Sequence, residues 1–291
     1  MRARAPASSA NLGPGFDALA VALECYVQVE VERAASLRVH SEGEGAGLCD
    51  DASHLAVRVA SSILGHDRIA VTVRSQIPVS RGLGSSAALA AAAAAAAGSD
   101  DPFAIAAAQD GHPENAAASV LGGLVAATLV DGRVTAAPLP LSEDLTFVVI
   151  VPDRELVTAH ARSVLPSTLT RDDALFNLGR MGLLLAGLAE PSFLTAAATD
   201  DRLHQNARAP LFPEAESLLA ALVECGALAS CWSGAGPSLL GISPRASAEK
   251  VCAGARVALE QSGLTGRVLL LRADRRGLVC GDDAELPEPG P

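Results

Sequence analysis

Apolar and polar residues alternate along YVQVEVER (26–33) and RIAVTVRS (68–75), the period of a half-buried strand. Between them, SHLAVRVASSILG (53–65) places apolar residues at helical spacing, with Ser53 in position to cap the helix. The segment after Gly84 is almost all alanine through Ala97 and stops at Gly98, which predicts a helix able to approach its neighbours closely. Short helices are predicted over 103–108 and 114–120, followed by a hairpin of LVAATLV and GRVTAAPL turning at Asp131 and Gly132. The second half opens on TFVVIVP (146–152), the unbroken apolar run of a buried strand. Helical patterns then cover 172–188, 191–200 and 214–225. ALASCWSGAGPSLLGIS reads as strand, glycine turn, strand; SAEKVCAGARVALEQSG reads as a helix, and GRVLLLRA as a last strand. That order is the ending of a ferredoxin-like α+β domain. The pattern predicts a first domain over 1–142, a second over 143–280, and an acidic, proline-rich tail over 281–291 that reads as disordered.

Composition narrows the function. The chain has 291 residues, enough for a core without disulfides or metals, and with only 3% aromatic residues that core is built from Ala, Val and Leu. A formal charge of −11 argues against nucleic acid or an anionic membrane as the main partner. The six cysteines form no C-x-x-C pair and read as buried or free thiols of a cytoplasmic protein. MRARAPASSANLGPGF has no apolar stretch behind its basic residues, so no signal peptide is expected, and no apolar run is long enough to span a membrane. Lys250 is the only lysine and sits in a predicted surface helix. That excludes the Walker A loop, the protein-kinase fold and most Schiff-base enzymes.

Three glycine-rich segments carry the candidate chemistry. In IPVSRGLGSSAAL, Gly82 and Gly84 let backbone amides approach a ligand, and Ser85 and Ser86 fall in the first turn of a helix. A helix N-terminus with unpaired N–H groups binds anions, phosphate above all; the alternative is a plain strand-to-helix turn capped by serine. PASSANLGPGFDALAVAL crowds Asn11, Gly13, Gly15 and Asp17 into a turn-rich stretch. WSGAGPSLLGI brackets a hairpin-like turn with Gly234 and Gly236, beside Trp232, which reads as core. His40, His54, His66, His160 and His204 show no metal-ligand spacing and read as surface or structural.

Taken in order, P-x-S-x-N-x-G-x-G-F-D, P-V-x-x-G-L-G-S-S-A and S-G-x-G-P-S resemble the motifs of the GHMP kinase superfamily. GHPEN followed by LGG, VTAHARSVLP and DRLHQNARAPLFPE are further similar to segments of its homoserine kinases, so the likeness runs from about Arg4 to Leu271. The resemblance implies an α+β protein with a ribosomal-protein-S5-like N-terminal domain and a ferredoxin-like C-terminal domain. It implies ATP-dependent phosphorylation of the L-homoserine hydroxyl, a step of threonine biosynthesis, in a cytoplasmic homodimer. By the same resemblance Pro78, Val79, Ser80, Arg81, Gly82, Leu83, Gly84, Ser85, Ser86, Ala87 and Ala88 form the ATP phosphate loop. Ser86 and Asp110 would hold Mg²⁺; Asp110 stands where the family has Glu, and Glu114 where it has Asp. Arg162 and Arg208 match the carboxylate-holding positions, Asp17 the one facing the amino group, and Asn11, His112, Asn115 and Thr158 polar positions around the substrate. Without the resemblance, either arginine reads as a surface salt bridge, His112 as a loop residue capping a helix start, and Asp17 as a turn cap. The Asp–Lys pair that activates the hydroxyl in mevalonate kinases has no lysine here; the resemblance implies a kinase that works without a dedicated base, with Asp17 at most assisting as a proton acceptor. Two other readings stay open: a GHMP kinase for another small alcohol, and a nucleotide-binding sensor without catalysis.

Overall fold

The computed structural model describes residues 1–287, with Asp110 described in its backbone only. In chain order the elements are β1 (Arg2–Ala10), β2 (Leu19–Arg33), β3 (Arg38–Gly43), α1 (Leu55–Leu64), β4 (Ile69–Ser75), α2 (Ser85–Ala96), α3 (Pro102–Asp110), α4 (Pro113–Leu121), β5 (Leu124–Val130) and β6 (Arg133–Leu139). Then come β7 (Leu145–Pro152), α5 (Thr158–Ser163), α6 (Arg171–Ala189), α7 (Gln205–Arg208), α8 (Ala215–Glu224), β8 (Ala229–Trp232), β9 (Leu239–Pro244), α9 (Ala248–Gln261), β10 (Gly266–Leu271) and β11 (Val279–Cys280). A first sheet runs β11-β1-β2-β4-β3, with β5 joined to β2 and β6 to β5; a second, antiparallel sheet runs β10-β7-β9-β8. The chain is α+β.

Alanine decides the first layer. Helix α2 buries nine alanines around its whole circumference, because β1, β2, α1, α3 and α4 all pack on it. A helix enclosed on every side has no reason to be amphipathic, and alanine lets each neighbour come close. In the second layer α8 and α9 cover the second sheet, with Leu218, Leu222, Val251 and Ala255 packed on Val148 and Ile150 of β7. Trp232 belongs to this core, edge-on to Phe212 at 6.0 Å. All six cysteines are free; burial pushes the Cys25 and Cys231 thiols up to about 12, so both stay protonated.

The structure departs from the sequence pattern in several places. β1 is a central strand, although PASSA was read as part of a loop. Ser53 does not cap α1: its hydroxyl bonds Asp51, and His54 Nδ1 accepts the cap bond from Ala56 N at 3.1 Å. The expected helix over 191–200 is instead two short 3₁₀ turns, Pro191–Phe193 and Ala196–Thr199. Thr199 turns inward to donate to Ser230 O at 2.7 Å, which ends the second turn against the second sheet. The chain passes to the second sheet between Leu139 and Leu145, but β11 returns to the first, where Ala3 and Arg4 pair Cys280 and Val279. Residues 281–287 are not disordered: Gly281–Ala284 forms a 3₁₀ turn, Ala284 is buried, and its carbonyl accepts from Gln28 Nε2 at 2.6 Å. The rest of the expected tail, 288–291, lies outside the described residues. Among the described residues no helix is long and apolar enough to cross a membrane.

Candidate active site

A cleft of about 490 Å³ opens where four connections meet, with the β3–α1 connection as a further wall. They are the 11–17 loop after β1, the 77–84 loop before α2, the α3–α4 junction, and the glycine turn between β8 and β9. The last belongs to the second sheet and the others to the first, and hydrogen bonds to backbone carbonyls join them. Gly234 N donates to Ala10 O at 3.0 Å, Ser238 N to Arg81 O at 3.3 Å, and Ser233 Oγ to Gly82 O at 2.7 Å. Arg81 ties the same loop to the end of β7, donating from Nε to Pro152 O at 3.0 Å and from Nη2 to Asp153 O at 2.6 Å.

One side of the cleft is the start of α2. Its N-cap is Gly84, with no side-chain cap bond, so the serine-capping alternative does not hold. The first-turn N–H groups have no intrahelical acceptor, and with their dipole they form a site for an anion. Val79, Ser80, Arg81, Gly82, Leu83, Gly84, Ser85 and Ser86 line the cleft. Pro78, Ala87 and Ala88 are buried behind that lining and serve packing. Leu48, Leu55, Val73 and Leu89 add an apolar wall that the sequence pattern left unassigned.

The other side is charged. Asp17, at φ +54°, accepts two bonds from Arg162: Nη2 to Oδ1 at 2.6 Å and Nη1 to Oδ2 at 3.1 Å. Arg162 Nε donates to His112 Nε2 at 3.1 Å, which makes one string of Asp17, Arg162 and His112. Arg208 is only 1% exposed, which overturns the surface-salt-bridge alternative. Its Nη1 donates to Gly234 O and His204 Nδ1, both at 3.0 Å, and its Nε to Ala161 O at 3.3 Å. No carboxylate is among its partners in the described residues. Burial, then the nearby Arg162 charge, pull its pKa down to about 10, which leaves it charged at neutral pH.

Asn11, Asn115 and Thr158 also line the cleft, so the expected substrate residues converge on one place. Asn11, however, spends its amide on the backbone, donating to Gly234 O at 2.9 Å and accepting from Asp17 N at 3.0 Å. Asn115 Oδ1 accepts from Ser8 Oγ at 2.8 Å. The side chain of Asp110 lies outside the described residues; its backbone ends α3 one residue before the cleft-lining turn. Glu114, in the first turn of α4, is buried in the cleft wall.

Sequence reasoning passed over Phe16 and His204. The Phe16 ring stacks on His204 at 4.9 Å, and the Arg162 and Arg208 guanidinium carbons stand 5.6 and 5.5 Å from its centroid. The signal was present as L-H-x-x-x-R, a spacing that puts His204 and Arg208 on one face of a helical turn.

Burial holds the His204 pKa down to about 4, against an opposing pull from Asp201 and a further push down from Arg208. The unfolded ring titrates near 6.5, so between pH 6.5 and 4 the unfolded chain binds a proton that the native protein refuses. Stability is therefore unaffected above that window and lost as pH falls through it, by up to about 1.4 kcal/mol per pH unit. Urea melts of wild type and His204→Asn between pH 7 and 4.5 check this: the variant's slope should be shallower by nearly one proton.

Similarity to known proteins agrees with this geometry. The family profile described as GHMP kinases N terminal domain matches residues 48–123, and GHMP kinases C terminal matches 176–258. Those two matches, one on each half of the cleft, define a GHMP kinase. A homoserine kinase of Mycolicibacterium smegmatis is 43% identical over 263 residues, 81% of this chain and 83% of that one. A homoserine kinase of Desulfitobacterium hafniense is 35% identical over 292 residues, 95% and 98% of the two chains. Among solved structures, the homoserine kinase of Cytophaga hutchinsonii superposes with a TM-score of 0.82 at 26% identity, over 96% of each chain. The chain belongs to the homoserine kinase family.

Proposed function

We propose that the cleft binds ATP against the start of α2 and L-homoserine against Asp17, Arg162 and Arg208, and transfers the γ-phosphoryl group to the homoserine hydroxyl. The observation that carries this reading is Arg208: a buried guanidinium with no carboxylate among its described partners, in the same cleft as an uncapped helix N-terminus. An amino acid brings the missing carboxylate, and a nucleotide triphosphate the anion for the helix. The hydroxyl oxygen attacks phosphorus in line, the bond to the ADP oxygen breaks, and the hydroxyl proton passes to Asp17 or to water, a choice that the kinetics of Asp17→Asn resolve. Catalysis of that step is mostly positioning and neutralisation of charge.

Mg²⁺ fits the donor set. The Ser86 hydroxyl is an oxygen donor exposed on the cleft, in the first turn of α2. Such a site suits a cation that takes few protein ligands and completes its shell with phosphate oxygens and water. Ser86 and Asp110 are assigned as its protein ligands, and the bound ion would neutralise phosphate charge. We assign the protein to the cytoplasm, where its six free thiols fit a reducing compartment.

The test is ADP release with ATP and Mg²⁺ against homoserine, serine, threonine and mevalonate. Turnover selective for homoserine is expected. Equal turnover of serine or mevalonate would move the reading to another small alcohol, and nucleotide binding with no turnover of any would make the protein a sensor.

We assign a homodimer through the outer face of α6, where Leu175, Leu178, Gly179, Gly182 and Leu183 are exposed with no charge among them. Light scattering should give twice the chain mass for wild type and the single mass for Leu178→Glu.

A further inference from the structure

We propose that His204 is a positioning residue for the amino-acid substrate: its ring sets the Arg208 guanidinium so that Nη2 is presented to the carboxylate. The proposal rests on the assignment of Arg208 above. Ring chemistry fixes the state of His204. Its Nε2 lies 2.9 Å from Gly13 O and its Nδ1 3.0 Å from Arg208 Nη1. A carbonyl only accepts and a guanidinium only donates, so the ring is neutral, carries its hydrogen on Nε2, and accepts from Arg208 at Nδ1.

That acceptor decides how Arg208 divides its donors. Nε is spent on Ala161 O, and Nη1 on Gly234 O and His204 Nδ1, while Nη2 carries none of these bonds. Nη2 is thus the edge left for a ligand in the cleft that Arg208 lines. The ring itself cannot wander. Asp201 Oδ2 accepts from the backbone N of His204 at 2.8 Å and of Gln205 at 2.7 Å, and Phe16 stacks on the ring at an interplanar angle of 23°. The Gly13 contact links the ring to the loop that ends in Asp17, so one imidazole registers the carboxylate donor against the residue facing the amino group.

The experiment compares homoserine with 3-aminopropan-1-ol, the same amino alcohol without its carboxylate, in the intact enzyme. The readout is the ratio of kcat/KM for the two, or of KM to Ki where the analogue only inhibits. His204→Leu removes the acceptor and should lower this preference at least about tenfold, the size expected for a hydrogen bond to a charged group. His204→Asn places an amide oxygen near the old Nδ1 and should restore most of it, with KM for ATP unchanged in both. Equal losses on both substrates, or no rescue by Asn, would show a purely structural histidine and overturn the proposal. Arg208→Met is run beside them. If it leaves the preference intact, the carboxylate assignment itself falls; if it abolishes the preference while His204→Leu does not, only the role of His204 falls. Should His204→Leu fail to fold, His204→Gln, whose amide is displaced from the Nδ1 position, takes its place.

Discussion

Gly82→Ala should leave a kinase with roughly a hundredth or less of its kcat/KM for ATP, the scale of loss when a reacting group is misplaced by about 1 Å. A Cβ on Gly82 would lie 2.2 Å from Ser233 O and 2.9 Å from Gly236 O, and φ is +74°. Both obstacles are backbone, held in a turn already bonded to Ala10 and Arg81, so neither can step aside without opening the seam between the sheets. Strain at positive φ and the forced contact together should cost at least about 2 kcal/mol of stability. Gly132 supplies the control, because it has the same φ of +74° with nothing within 4 Å of its would-be Cβ. Gly132→Ala should therefore lose about 1 kcal/mol from strain alone and keep full activity. Steady-state kinetics and urea melts on the two variants separate backbone strain from interlock. Full activity in Gly82→Ala would mean that the two loops do not need to touch.

Most of the fold was legible because most elements carry a period or a stop signal. Those that escaped lack both for physical reasons. β1 has only Ala, Ser, Pro and Arg, and its inner half is buried under α2 and α4, so small size replaces the alternation that marks a half-exposed strand. Its register shifts between Pro6 and Ala7, where the proline interrupts the ladder and the sequence reads as a turn. β3 is a mostly exposed edge strand, RVHSEG, whose polarity resembles a loop. The chain end reads as solvated from composition, yet Ala284 is buried and the following carbonyls face donors on the first sheet. At the site, the motif residues converge on one cleft, but their division of labour was hidden. Asn11, a substrate position by the resemblance, also bonds the backbone of Gly234 and Asp17; Phe16, which the pattern left unassigned, stands beneath both arginines, and His204, read as surface or structural, bonds Arg208.

Asp17→Asn should cost thirty- to a thousandfold in kcat/KM for homoserine, from about 2–4 kcal/mol lost when one partner of a close charge pair is neutralised. The structure separates this from folding. Asp17 and Arg162 side chains are 39% and 38% exposed, so water screens their attraction and the substitution should change stability by less than about 1 kcal/mol. The carboxylate is nonetheless placed with care: Asn11 Oδ1 receives the Asp17 N–H at 3.0 Å, and Arg162 takes both carboxylate oxygens. A zwitterionic amino acid brings an opposite charge for each member of that pair. In the proposed binding mode its ammonium group would replace Arg162 at Asp17 and its carboxylate would replace Asp17 at Arg162 and meet Arg208, so that opening the pair would be offset by re-forming both halves. Asparagine keeps the shape and the backbone bond but cannot compensate the ammonium charge, so the loss should fall on KM for homoserine while KM for ATP stays put. Proton transfer from the hydroxyl to Asp17 predicts the opposite split, with kcat reduced and KM little changed. The measured split decides between the two roles.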